Sequence, residues 1–207
     1  MSELHAEAER VLNGWAPPDD DQERLRTAYV GHLHDHEDAL WRSCLPAHLT
    51  ASVLVLDHTA THVLLSFHRK GNFWVQFGGH CEPGDRTLAG AALREGTEES
   101  GVPALSLLGD GPVDLDRHTL SSAFGSCGEH LDVRYAAVAP PDAEPVTSDE
   151  SHDVAWFHVD TLPRQLAGGV SSLVSRACAL SASSALSASS ASASERPRPA
   201  VADTPSR

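Results

Sequence analysis

The most informative stretch of this sequence is residues 78–102, which read GGHCEPGDRTLAGAALREGTEESGV. Gly78 and Gly79 begin a glycine-rich turn, where the backbone can approach a ligand closely and carbonyl groups can turn inward. From Leu88 to Ser100 the pattern is typical of a helix. Gly101 is suited to end it, because glycine accepts the left-handed backbone common at helix C-termini. The stretch therefore predicts a loop and a helix that together cradle a ligand.

Three glutamates on this helix suggest a metal site. Glu95, Glu98 and Glu99 are spaced i, i+3 and i+4, so their carboxylates project from one helix face. Such a cluster is ordinarily destabilised by like-charge repulsion, which a bound divalent cation removes. Hard oxygen ligands suit Mg²⁺ or Mn²⁺. The glutamates alone also fit a solvated acidic face with pairs such as Arg94–Glu98, but the glycine loop before them favours the metal site.

The segment resembles the signature of the Nudix hydrolase family. That signature is Gly, five residues, Glu, seven residues, Arg-Glu, an apolar residue, any residue, Glu-Glu, any residue, Gly and an apolar residue. The second half matches at Arg94-Glu95, Glu98-Glu99 and Gly101-Val102. A motif of this length is specific. The resemblance covers about residues 50–180.

The first half of the signature departs from the family pattern. Asp85 stands where the family has glutamate, and eight residues instead of seven separate it from Arg94. The family's first carboxylate pairs with the arginine, so either Asp85 or the nearby Glu82 is expected to do so here. Gly96 occupies an apolar position and weakens the helix by about 1 kcal/mol relative to alanine.

The resemblance implies hydrolysis of a diphosphate linkage with bound Mg²⁺, or Mn²⁺ as an alternative. It implies that Glu95, Glu98 and Glu99 bind the metal, joined by the carbonyl of Gly78. The expected catalytic residues are Glu98, Glu99, Arg94 and Glu150. Arg94 orients a glutamate, and Glu150 is the first choice for the general base, followed by Glu129 and Asp149. Each of these three also fits a solvated loop acid.

Basic residues near the signature are candidates for substrate binding. Arg69 and Lys70 precede the strand that enters the loop and could meet a substrate phosphate. His80 lies inside the loop and either touches phosphate or has a structural role. The sequence has 13 histidines. The cluster of His32, His34 and His36 is compatible with a metal site or with an exposed helix face.

Composition limits the classes of partner. The chain has 207 residues and a formal net charge of −14, from 29 acidic and 15 basic residues. A protein that binds a polyanion usually presents a positively charged surface, and this chain is strongly acidic. Neither a nucleic-acid polymer nor an anionic membrane is therefore expected as a partner. A small phosphorylated ligand held through a metal is compatible with this charge. The four cysteines contain no CxxC pair and suggest a cytoplasmic protein with reduced thiols.

Three regions are predicted along the chain. Residues 1–45 form an N-terminal helical extension, which could serve a homodimer. Residues 46–180 alternate short β-rich runs with helical patterns, which predicts an α/β (α+β) domain. By resemblance it is a Nudix-like α/β/α sandwich with a mixed β-sheet. Residues 181–207 are rich in Ser, Ala and Pro and are expected to be a disordered tail, whose first part could extend the preceding helix.

The predicted function is a divalent-metal-dependent hydrolase that cleaves the diphosphate linkage of a nucleoside diphosphate joined to another group. A non-catalytic nucleotide-binding or regulatory module on the same fold is the alternative, and an isomerase acting on a diphosphate ester is a third. The substrate is expected to be a small nucleotide or another diphosphate. The sequence does not choose among these substrates.

Overall fold

A mixed β-sheet with helices on both faces forms the core of the molecule. The computed structural model describes residues 2–120, 127–147 and 151–194. The helices in these ranges are α1 (Glu3–Gly14), α2 (Asp20–Asp35), α3 (Leu88–Ser100) and α4 (Val170–Ser194). The strands are β1 (Ala47–Leu56), β2 (His62–His68), β3 (Trp74–Val75), β4 (Phe77–His80), β5 (Ser106–Leu107), β6 (Asp114–Thr119), β7 (Glu129–Val138) and β8 (Ser151–His158).

Strand β1 is the centre of the sheet. It runs parallel to β7 along its whole length and antiparallel to β2 and β4. β6 and β5 pair antiparallel with β7, while β3 and β8 pair with β2. β1 therefore connects the strand that enters the signature loop, β4, with the strand β7 from the second half of the domain.

The two faces of the sheet pack against different helices. Leu49, Ala51 and Val53 of β1 are buried in a core shared with α1, α2 and α3. Leu54 and Leu56 lie on the opposite face, in a core shared with α4. Side chains alternate between the faces of a strand, so this arrangement gives helices on both sides of the sheet. The expected α/β/α sandwich with a mixed sheet is confirmed.

The N-terminal helices pack onto the same core as α3. Leu4 and Leu12 of α1 and Tyr29 of α2 are at most 2% exposed. Gln22 of α2 binds the backbone of strand β6. Its side chain accepts a hydrogen bond from the Leu115 amide at 2.7 Å and donates one to the Leu115 carbonyl at 3.0 Å. Residues 1–45 thus share a core with the domain that follows them.

Several predicted element boundaries are corrected by the structure. The spacing of Leu25, Tyr29, Leu33, Leu40 and Trp41 predicts one helix over these residues, but α2 ends at Asp35. Asp160 is a candidate cap for the last helical region, but α4 begins only at Val170. Residues 78–80, predicted as turn, lie in β4, where Gly78 pairs with Ser52.

The C-terminal helix continues beyond the predicted boundary at residue 181. α4 is one helix to Ser194, consistent with the expectation that the alanine-rich segment extends it. The remainder of the predicted tail lies outside the described residues. Among the helices that the structure describes, none is both long enough and apolar enough to cross a membrane.

Candidate metal-binding and catalytic site

The signature loop leads directly into α3. Thr87 is the N-cap of the helix, and its hydroxyl accepts a hydrogen bond from the Gly90 amide at 2.9 Å. The additional residue of the signature is accommodated before the helix, because the exposed Arg86 lies between Asp85 and this cap. Glu7 of α1 accepts a hydrogen bond from the Leu88 amide at 3.0 Å, so the first turn of α3 is also held by the N-terminal extension.

Arg94 fastens the loop to α3. Its Nε lies 3.1 Å from Oδ1 of Asp85, and its Nη2 lies 3.0 Å from Oδ2 of Asp85 and 3.1 Å from the carbonyl oxygen of His80. The hydrogen bonds to Asp85 raise the pKa of Arg94, against the effect of burial. Burial alone would raise the pKa of Asp85, but the hydrogen bonds from Arg94 and from the Glu82 amide, together with the charge of Arg94, outweigh it and the pKa is lowered.

The partner of Arg94 is therefore Asp85. Of the two acids that the sequence left open, Asp85 forms the two-point contact. Glu82 has an exposed side chain, and its backbone amide donates to Asp85 at 2.8 Å. The shorter aspartate thus occupies the place of the family's glutamate without losing the ion pair.

The three glutamates of α3 contact the signature loop at Gly78 and Gly79 or pair with Arg94. Glu99 Oε2 accepts a hydrogen bond from the Gly78 amide at 3.3 Å. A β-carbon added to Gly79 would lie 2.8 Å from the Glu95 carboxylate oxygens. Arg94 Nη1 lies 2.9 Å from Glu95 Oε1 and 3.1 Å from Glu98 Oε2, and the Glu98 side chain is 60% exposed.

This donor set fits a hard divalent cation. The carboxylate oxygens are the ligands that Mg²⁺ and Mn²⁺ prefer. Because Gly79 has no side chain, the Glu95 carboxylate can lie beside it. A side chain at position 79 would displace the Glu95 carboxylate. Arg94 offsets the repulsion between the glutamates and leaves Glu98 accessible to solvent.

Gly96 has a packing role. A β-carbon at this position would lie 2.5 Å from Cγ1 of Val53 and 3.1 Å from Cδ1 of Leu105. The absence of a side chain lets α3 approach β1 closely, which brings its glutamates to β4. The departure from the family pattern at this position therefore follows from close packing of the helix on the sheet.

A family model described as NUDIX domain matches residues 46–176, which is more than half of the chain. The chain belongs to the Nudix family. As a Nudix-type hydrolase, it acts on phosphoanhydride bonds. No curated protein sequence matches the chain.

Solved Nudix structures share the fold at low sequence identity. A NUDIX-family hydrolase from Clostridium perfringens has a TM-score of 0.52 and 21% identity, covering 64% of this chain and 97% of its own. An Ap4A hydrolase from C. elegans has a TM-score of 0.51 and 18% identity, covering 65% and 98%. The E. coli dihydroneopterin triphosphate pyrophosphohydrolase has a TM-score of 0.51 and 17% identity, covering 61% and 91%. At these identities the similarity concerns the fold.

The structure brings only some of the predicted residues of this Nudix protein together. Glu95, Glu98, Glu99, Arg94 and Gly78 lie together, as described above. Among the other predicted residues, the pair Arg69 and Lys70 is exposed in the turn after β2, and Nη2 of Arg69 lies 3.5 Å from the Ser151 carbonyl oxygen. Glu150 and Asp149 lie outside the described residues. Glu129 accepts a hydrogen bond from Arg117 Nε at 3.0 Å.

Sequence reasoning placed His130 and Asp132 beside sheet strands as residues that could face the cleft, but it missed the polar row that Asp132 forms with Thr50, Ser52, Gln76 and Arg134 on the sheet face opposite α3. Asp132 accepts hydrogen bonds from Thr50 Oγ1 at 3.0 Å, Ser52 Oγ at 2.6 Å and Gln76 Nε2 at 3.3 Å. Arg134 Nε lies 3.3 Å from the same carboxylate. The signal was present as alternating polar residues, in residues 48–52 (HLTAS) and residues 130–134 (HLDVR). Period-two alternation places such residues on one face of a sheet.

His80 belongs to this polar face. Its Nδ1 lies 2.9 Å from Arg42 Nη2, and its ring is 4.9 Å from the rings of both His48 and His130. Burial, followed by the charge of Arg42 and the neighbouring histidines, lowers the pKa of His80 to about 3. At neutral pH the ring is therefore uncharged.

The other histidine cluster lies at the C-terminal end of α2. The rings of His32 and His36 are 4.6 Å apart, and His34 is exposed. Burial and the neighbouring His36 lower the pKa of His32. A metal-compatible group is formed by His36 with Asp38 and Cys44, not by the three clustered histidines.

Proposed function

We propose that this protein is a divalent-metal-dependent hydrolase that cleaves the diphosphate linkage of a nucleoside diphosphate joined to another group. The observation that carries the proposal is the arrangement of Glu95 and Glu99 against Gly78 and Gly79, with Arg94 fixed between loop and helix. This arrangement gathers hard oxygen ligands where a diphosphate can approach through the glycine loop.

Glu95, Glu98, Glu99 and the carbonyl of Gly78 would hold Mg²⁺ or Mn²⁺. When bound, such a metal neutralises phosphate charge and lowers the pKa of an attacking water. The protein must therefore hold its carboxylates in place before substrate arrives, because positioning and electrostatics supply most of the rate in phosphoryl transfer.

Arg94 and Asp85 supply this positioning. Arg94 contacts two of the three glutamates and is itself fixed by two hydrogen bonds to Asp85. We assign it to orienting the carboxylates, not to contact with the reacting phosphorus. Glu150 remains our choice for the general base, and His80, Arg69 and Lys70 remain our choices for binding substrate phosphate.

Substrate class and cellular setting are parts of the same proposal. Two of the similar structures are an Ap4A hydrolase and a dihydroneopterin triphosphate pyrophosphohydrolase, and both names refer to small phosphorylated compounds. Together with the net charge of −14, this favours a small nucleotide or other diphosphate over a nucleic-acid polymer. A cytoplasmic location and a homodimer remain predictions.

The test is a hydrolysis panel with Mg²⁺ and with Mn²⁺, covering nucleoside triphosphates, nucleotide sugars, ADP-ribose and dinucleoside polyphosphates, with products identified by mass. We expect at least one substrate to be cleaved at its diphosphate linkage. Glu98→Gln and Glu99→Gln should each lower kcat by at least about a hundredfold, because each removes a ligand charge from the metal site.

Glu82→Gln is the matched control, since Glu82 lies in the same loop with an exposed side chain. It should retain wild-type kcat. Full activity in both Glu98→Gln and Glu99→Gln would contradict the proposal. Ligand-induced stabilisation without any product would favour the nucleotide-binding module, and an intact diphosphate in a rearranged product would favour the isomerase.

A further inference from the structure

Three histidines from three different strands meet beside the signature loop. His48 lies near the start of β1, His80 at the end of β4 and His130 near the start of β7. The register pairs His48 with His130, and His80 with Thr50, two residues beyond His48. All three side chains are therefore on one face of the sheet, opposite the face that packs on α3.

The ring nitrogens of these histidines are close enough to share an ion. Their ligand atoms all lie within 4.8 Å of one another. Neighbouring ring centroids are 4.9 Å to 5.2 Å apart. A tetrahedral ion with Zn–N bonds of about 2.0–2.1 Å has ligand nitrogens about 3.4 Å apart, so small rotations of the rings bring them into range.

The histidines lie partly inside the protein. His48 is fully buried, and His80 and His130 beside it are half-buried. An ion among the three rings would therefore be partly shielded from solvent.

Hydrogen bonds determine which nitrogens carry lone pairs. His48 Nδ1 lies 3.2 Å from the Cys44 carbonyl oxygen, which can only accept, so Nδ1 carries the proton and Nε2 has the lone pair. A histidine that binds a metal usually donates its other nitrogen to a carbonyl in this way. His130 Nε2 is buried and has no hydrogen-bond partner among the described residues. A buried polar atom in that state is destabilising unless something absent from the structure satisfies it.

Arg42 competes for the third lone pair. Arginine can only donate, so His80 Nδ1 accepts the hydrogen bond from Arg42 Nη2 at 2.9 Å. The Arg42 side chain is exposed and can move into solvent. A cation at the histidines would therefore displace Arg42 from His80.

From this geometry we infer that His48, His80 and His130 form a second divalent-metal site, separate from the glutamates of α3 and selective for Zn²⁺-type ions. Imidazole ligands favour Zn²⁺, Co²⁺, Ni²⁺ and Cu²⁺ over Mg²⁺. Three histidines supply three of the four ligands of a tetrahedral Zn²⁺ site. Because Arg94 contacts the carbonyl of His80, an ion here would also stiffen the loop that holds Arg94.

The test is a Co²⁺ titration of the full chain after treatment with a chelator, in the presence of excess Mg²⁺ to saturate the carboxylates. We expect one Co²⁺ per chain, with a visible absorption band and a rise in Tm. His80→Ala and His130→Asn should each weaken Co²⁺ binding at least about tenfold. Arg42→Ala should strengthen binding, because it removes the competing hydrogen bond and a positive charge.

Two controls separate this site from the group of His36, Asp38 and Cys44 and from the glutamates of α3. His36→Ala removes a ligand atom of that other metal-compatible group, and Co²⁺ binding should be unchanged. The double variant Glu98→Gln with Glu99→Gln should bind Co²⁺ like the wild type even though it loses hydrolysis, so this inference and the proposed function fail separately. No Co²⁺ bound, unchanged binding in folded His80→Ala and His130→Asn, or loss of binding in the double glutamate variant would each overturn the inference. Circular dichroism checks that the variants are folded.

Discussion

At the residue scale, the glycines of the signature loop differ in what surrounds them. Gly79 faces the Glu95 carboxylate, where an added β-carbon would come within 2.8 Å of both oxygens. We predict that Gly79→Ala displaces this carboxylate and raises the Mg²⁺ concentration for half-maximal activity by about tenfold or more, since misplaced ligands cost about 10–100-fold in affinity. A Mg²⁺ titration of kcat measures the change.

Gly84→Ala is the control for this substitution. Gly84 lies in the same loop, and an added β-carbon there has nothing within 4 Å. Its Mg²⁺ dependence should match that of the wild type. An unchanged Mg²⁺ requirement in Gly79→Ala would mean that Glu95 does not depend on this space to bind the metal.

At the element scale, the position of α3 depends on how closely it approaches β1. Gly96→Ala would place a β-carbon 2.5 Å from Val53 Cγ1. Overpacking of this kind costs about 1–3 kcal/mol, which should exceed the gain of about 1 kcal/mol in helix propensity. We therefore predict a lower free energy of unfolding, measured by urea denaturation.

Two further variants test the packing role of Gly96. In the Gly96→Ala background, Val53→Ala should be less destabilising than in the wild type, because it removes the clashing methyl group and the two positions are coupled. Gly31→Ala, on an open part of α2, should instead stabilise the protein by about 1 kcal/mol. Equal effects at Gly96 and Gly31 would refute the packing role.

At the scale of the whole molecule, the N-terminal helices and the catalytic domain share one core. Leu12 of α1 is fully buried in the cluster that also contains Leu88 and Ala91 of α3. We predict that Leu12→Ala lowers the free energy of unfolding by about 2–5 kcal/mol, the usual cost of a cavity in a core. Thermal and denaturant unfolding measure this directly.

Leu186→Ala provides the comparison at the other end of the chain. Leu186 is 73% exposed on α4, so its truncation should change stability by no more than about 0.5 kcal/mol. A negligible effect of Leu12→Ala would show that residues 1–45 are an appendage instead of a part of the core.

Local patterns predicted much of the structure. The helical spacing between Leu88 and Ser100 and the terminating Gly101 match α3, and Gly101 has the expected left-handed backbone with φ of 67°. These features depend on neighbours a few residues apart, which periodicity captures. By contrast, the break between β3 and β4 at residue 76 and the strand conformation of Gly78 depend on the pairing of β3 with β2 and of β4 with β1, so the local sequence did not reveal them.

Local spacing was enough to predict the acidic face of the helix, because i, i+3 and i+4 spacing places Glu95, Glu98 and Glu99 together in any α-helix. This spacing does not depend on how the rest of the chain folds, so the acidic part of the site could be predicted from the sequence alone.

The partner of Arg94 could not be predicted in the same way, since Asp85 and Glu82 are both within reach along the chain and the loop conformation selects Asp85. The contact between His48 and His130 likewise depends on the folded sheet, because the two residues are far apart in sequence. The physical reason is that the parallel register of β1 and β7 is set by burial of their apolar face and not by any local pattern.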